Sequence, residues 1–203
     1  MTNFEQEIKM VHLSAQSPNV RTRHRAAESP LCPEEDLLRL ADDIDWYVEV
    51  GVAENPAAPV DLLRYLFRKK PQHAEVRRAV ARNVKCPQDI MDEILEDPEW
   101  TVREGLALNQ ECPTEILGEL SQDKSWEVRR MVVRNPKTSK GTLWMLRKDP
   151  DNLVATIAKR MLLSHQMAQA LQILFAIQCL FHTDSRDRSG ALHKAPQAPS
   201  QCC

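Results

Sequence analysis

The sequence predicts an all-α solenoid of about five to six two-helix repeats, each of roughly 26 residues. Three observations carry this reading. One valine returns at Val48, Val76, Val102, Val128 and Val154, in steps of 28, 26, 26 and 26. Asparagine keeps the same frame at Asn55, Asn83, Asn109 and Asn135, and proline keeps it at Pro33, Pro59, Pro87 and Pro113. Two leucine-type columns follow: Leu37, Leu63, Met91, Leu117 and Leu143, then Leu40, Leu66, Ile94, Leu120 and Leu146. Units this short bury too little alone, so neighbours must stack. Strand signals are absent, with five glycines in 203 residues and no long β-branched alternation.

Each unit reads as two short helices. The second opens with proline at its first helical position, where the missing N–H costs nothing. An acid follows two residues later (Glu35, Asp61, Asp89, Glu115), where exposed N–H groups and the helix dipole favour negative charge. The first helix is expected to open at Asp97-Pro98 and Asp149-Pro150, as a cap followed by a first-turn proline.

Residues 1–24 form an N-terminal cap segment, with Phe4, Ile8, Val11 and Leu13 on a small helix that Ser17-Pro18-Asn19 breaks. Arg21, Arg23 and Arg25 read as a solvated basic edge. The repeat array covers 25–160. Repeat two carries a two-residue insertion in Arg68-Lys69-Lys70-Pro71-Gln72-His73, expected to be a cationic surface loop. Repeat five degrades, Thr138-Ser139-Lys140-Gly141 replacing proline and acid, and Met161 stands where a sixth asparagine is due. Residues 161–182 form a C-terminal helix that caps the array, with self-association through 161–181 as its other use. His165, Gln166 and Gln169 make it too polar for a lone membrane span. The tail, 183–203, lacks the apolar content for a core and reads as disordered.

The pattern V-R-x-x-V-A-x-N-P-x-x-P-x-x-L-L-x-x-L-x-x-D, clearest over Val76–Leu95 and Val128–Leu146, resembles the leucine-rich repeat variant family, a relative of HEAT and armadillo repeats. The resemblance covers roughly residues 25–160. It implies a right-handed superhelix of paired short helices. The family's founding type also carries an N-terminal cysteine cluster for an iron–sulfur centre. Residues 1–31 hold no cysteine, so that cofactor is not carried over and none is expected.

Arg77, Arg103 and Arg129 follow the framing valine, with Asp97, Asp123 and Asp149 as candidate partners. In HEAT-like repeats such columns interlock. Arg78, Arg82, Arg130, Arg134 and Arg160 form a second set, able to meet an acidic protein or phosphates if they share one face. Trp46, Trp100 and Trp126 share one repeat position, either packed between units or exposed as partner anchors. Cys32, Cys86 and Cys112 occupy one slot before the proline, and adjacent helices sit roughly 8–10 Å apart, too far for disulfides between them. The cysteine pattern indicates the reducing cytoplasm. Cys202-Cys203 lacks the basic neighbours of a prenylation signal.

The six histidines show no ligand-like pairing, and no phosphate-binding glycine loop or G-x-S-x-G turn is present. With a formal net charge of −2, no global pull toward nucleic acid or anionic membrane arises. The expectation is a non-catalytic, cytoplasmic protein–protein interaction scaffold, with Trp100, Trp126 and the arginines as its contact surface. The alternative is a nucleic-acid-binding HEAT-like solenoid that uses the arginine stripe.

Overall fold

A computed structural model describes residues 2–69 and 72–164, and among these every regular element is helical. Residues 1–159 form one compact unit; of the second, 160–203, only 160–164 are described, and they are helical. The C-terminal helix and tail expected beyond Ser164 therefore lie outside the described residues, as do Lys70 and Pro71. Among the described residues no helix is long and apolar enough to cross a membrane.

The elements run α1 (Asn3–Ala15), α2 (Val20–Glu28), α3 (Glu34–Leu40), α4 (Trp46–Glu54), α5 (Val60–Lys69), α6 (Ala74–Arg82), α7 (Gln88–Leu95), α8 (Trp100–Leu108), α9 (Thr114–Leu120), α10 (Trp126–Arg134) and α11 (Lys140–Leu146), with residues 152–164 helical after them. Helices α2, α4, α6, α8 and α10 are the first helices of successive repeats and pack directly on one another. Helices α3, α5, α7, α9 and α11 pack mainly against the first-helix layer. The valine and both leucine columns are buried between the layers, which is why their spacing is so regular.

Helix starts differ from the sequence reading in a consistent way. Proline is the residue before α3, α7 and α9, not their first helical residue, and its carbonyl accepts the opening helical bond. Where repeat five lacks proline, Ser139 caps α11 by accepting from the Thr142 N–H at 3.0 Å. Asp97 and Asp149 do not cap the first helices. Helix α8 starts at Trp100, because the Asp97 carboxylate is held two residues upstream by Arg77 while accepting the Glu99 N–H.

Helix α1 opens with a capping box at Thr2 and Glu5. It rests on repeat one through half-buried Ile8 and Val11, while Phe4 and Leu13 are exposed. His12 Nδ1 lies 2.7 Å from the buried Asp36 carboxylate, which Arg39 also contacts at 2.8 Å.

Two glycines set how closely first helices approach. A Cβ on Gly51 would sit 2.8 Å from the His24 carbonyl oxygen, and one on Gly105 2.9 Å from that of Arg78. Both obstacles are backbone, so they cannot swing aside. We expect Gly105→Ala to destabilise the chain by about 1–3 kcal/mol, because overpacking outweighs the roughly 1 kcal/mol gained in helix propensity. A denaturant midpoint at or above wild type would refute the close approach of α6 and α8.

Candidate interaction face

Two polar ladders run through the array and fix which side chains are left for the surface. In the first, Arg77, Arg103 and Arg129 donate through Nε to Asp97, Asp123 and Asp149 at 2.7, 2.6 and 2.7 Å. Each rung closes within its own unit. The Nη1 groups of Arg103 and Arg129 then reach the Asp97 and Asp123 carbonyls of the preceding rung, at 2.6 and 2.8 Å. The expected arginine–aspartate columns therefore do interlock. Burial of the carboxylates of Asp123 and Asp149 opposes their ionisation, yet the guanidinium and a backbone N–H hold both below the ordinary carboxylate value.

The ladder extends further than the arginine column suggested. Arg23 pairs with Asp43 at 2.7 Å and is half-buried, so it is a rung and not part of a solvated basic edge. In repeat two the rung is inverted: the buried Glu49 stands in the arginine position and accepts from Lys69 Nζ at 3.1 Å. Lys69 also donates to the Ala41 carbonyl and to Asp42, at 2.8 and 2.6 Å. Arg68 contacts Asp89 and Glu93. Both cations belong to α5 and its salt bridges, so they are not loop cations awaiting a ligand.

In the second ladder Asn55, Asn83, Asn109 and Asn135 are buried. Each Nδ2 donates to two carbonyls of the previous repeat, Asn109 to Ala81 at 2.9 Å and to Asn83 at 2.7 Å. Each Oδ1 accepts an N–H two residues on. The carbonyls at a helix C-terminus lack intrahelical donors, and the next unit supplies them here.

The outer side of the first-helix layer is different. Trp46, Trp100 and Trp126 are 39%, 39% and 37% exposed, so the column is presented to solvent as well as packed. A groove of about 400 Å³ between α4 and α6 is lined by Trp46, Tyr47, Val50, Glu54, Arg78 and Arg82, among others, which puts these repeat positions on one face. Arg78 gives one N–H to Glu104 at 3.1 Å, and its Nε is buried without an acceptor within the chain. Arg130 lies over the Trp126 ring, 5.2 Å from its centroid, with its Nε in the same condition. Arg82 and Arg134 are exposed. Arg160 is exposed and falls in the second unit. In repeat one the position of Arg78 is held by His24, which is buried, stacks on Tyr47 at 3.8 Å and hydrogen-bonds the Tyr47 carbonyl at 2.7 Å.

The three repeat-slot cysteines are buried free thiols, and burial pushes Cys32 up to about 11 and Cys86 and Cys112 up to about 12. Among the described residues no group of three His, Cys, Asp or Glu side chains could hold a metal ion.

No family model matches the sequence, and no curated protein matches it. A solved structure described as a leucine-rich repeat variant with a novel repetitive structural motif superposes with a TM-score of 0.52 and 25% identity. The match covers 79% of this chain and 62% of that one, so the present chain spans less than two-thirds of that protein. A crystal structure of an engineered protein reaches a TM-score of 0.43 at 15% identity, over 80% of this chain and 98% of its own. The repeat columns, the two-helix unit and the first of these superpositions together identify the fold as the leucine-rich repeat variant type of α-solenoid.

Proposed function

We propose that the chain is a non-catalytic, cytoplasmic scaffold whose outer first-helix face binds another protein. The observation that carries this is the row of half-exposed tryptophans with arginines beside them on one face. Elsewhere the repeat arginines and asparagines are consumed by the ladders. Tryptophan and arginine are enriched among the few residues that dominate interface energy once a partner seals them from water. The helical-repeat fold offers a long, regular surface of this kind.

Arg78, Arg82, Arg130 and Arg134 also favour a second reading, nucleic-acid binding. Against it, Glu104 stands between the two arginine pairs and already engages Arg78. The protein reading is the better supported.

A photo-crosslinking amino acid at Leu108, on the tryptophan–arginine face, tests this beside one at Met145, exposed on α11 of the second-helix layer. We expect the Leu108 probe to capture a protein from host lysate after nuclease treatment and the Met145 probe not to. Capture that disappears with nuclease would transfer the function to nucleic acid, and capture from Met145 alone would move the interface to the other layer.

A further inference from the structure

We propose that the partner segment is an extended peptide with two acidic clusters separated by about five to six residues and an apolar side chain between them. The inference rests on the scaffold reading and narrows it to a ligand chemistry. Arginines occur on the first-helix face as two pairs, Arg78 with Arg82 on α6 and Arg130 with Arg134 on α10. Each pair is four residues apart on its helix, one turn, so both guanidinium groups project to the same side. Helix α8, between them, offers apolar surface instead: Trp100 and Leu108 are 39% and 37% exposed.

First helices that pack directly stand roughly 8–10 Å apart, which sets the two pairs roughly 16–20 Å apart. An extended chain advances about 3.3 Å per residue and covers that distance in about five to six residues. A residue midway along such a chain lies over α8. The face thus reads basic, apolar, basic across three repeats, and its complement is acidic, apolar, acidic.

The charges around the pairs decide against a polyphosphate. Glu104 on α8 is part-buried and paired with Arg78 at 3.1 Å, and Glu54 and Glu75 line the same groove as Arg78 and Arg82. A single nucleic-acid strand carries a negative charge on every nucleotide and would bring one onto Glu104. A peptide with an uncharged centre avoids that repulsion. Among the described residues the two exposed arginines, Arg82 and Arg134, have no acidic partner, whereas Arg78 keeps Glu104. Carboxylates accept exposed guanidinium N–H groups of this kind in charge-assisted hydrogen bonds.

The test is fluorescence anisotropy of the full chain with three labelled probes. The first peptide has two aspartate pairs whose centres are six residues apart around a leucine; the second has the same composition with the pairs adjacent. The third probe is an oligothymidylate of equal charge. We expect the spaced peptide to bind about tenfold more tightly than the adjacent one, because only it engages both arginine pairs at once. Arg82→Glu and Arg134→Glu should each remove that advantage, and the exposed positions leave the thermal unfolding midpoint unchanged. Equal binding of the two peptides would overturn the bipartite site, and tighter binding of oligothymidylate would replace it with a nucleic-acid site. If no probe binds while the Leu108 crosslink to a protein persists, the scaffold stands and the acidic-peptide inference falls.

Discussion

Replacing Arg103 with methionine is expected to destabilise the array by about 3–5 kcal/mol, the range for breaking one side of a buried ion pair. Arg103 is 3% exposed, and it holds both the Asp123 carboxylate and the Asp97 carbonyl. Methionine fills much of the volume but leaves a carboxylate in poor solvent and breaks the link between two rungs. The readout is the urea midpoint. Adding Asp123→Asn to that variant should recover part of the loss, since no charge is then stranded, with a coupling of about 1–3 kcal/mol between the sites.

The same rungs set the acid response. Asp43, Asp123 and Asp149 are buried against ionisation, yet their arginines hold them below the ordinary carboxylate value. Their contribution is therefore complete above the unfolded carboxylate pKa near 4 and is lost as pH falls through the lower folded values. Wild type should lose stability steeply below about pH 4. Arg103→Met should fall less over that window, because its Asp123 no longer prefers the charged form. Parallel stability curves for the two proteins would show that Asp123 does not report on this rung.

Asn109→Leu should cost about 3 kcal/mol. The substitution removes a buried side chain, 1% exposed, that donates to Ala81 and Asn83 and accepts from Glu111. The Asn83 carbonyl keeps the Cys86 N–H as a donor, so the main stranded group is the Ala81 carbonyl, with the part-buried Glu111 N–H second to it. Each such group costs roughly 1–3 kcal/mol when it is buried without a partner. Chemical denaturation decides the point: a change below 1 kcal/mol would mean that the second ladder seals the turn without bearing on stability.

The period and the arginine–aspartate rungs were legible in the sequence because they depend on residue type at fixed spacing. Val102, Leu117 and Asn109 announce their roles by recurring. The inverted rung was not legible to that method, since Glu49 and Lys69 break the residue column while preserving the charge product. A search for opposite charges twenty residues apart would have returned Arg23–Asp43 and Glu49–Lys69 together with the others. The Asp97 assignment failed for a different reason. An aspartate that accepts an N–H two residues on looks the same in sequence whether it caps a helix or anchors an arginine. The candidate face was legible only as a list of residues. Whether Trp100 is covered, and whether Arg78 finds Glu104, depends on the distance between neighbouring helices, and that distance is set in part by Gly51 and Gly105.

The inverted rung has a consequence for how such a chain can change length. Every rung pairs a cation with an anion of the same unit, so each rung balances its own buried charge, whichever way its charges point. Between units the ladder arginines and asparagines bond backbone carbonyls, which every sequence provides, while side-chain pairs that cross units, such as Arg68–Asp89, Lys69–Asp42 and Arg78–Glu104, each keep an exposed partner. A unit can then be duplicated, deleted or exchanged without stranding a buried charge in its neighbours. Modules with self-contained charge and sequence-independent couplings are interchangeable parts, and length becomes a property the chain can alter while its surface specificity is rewritten unit by unit.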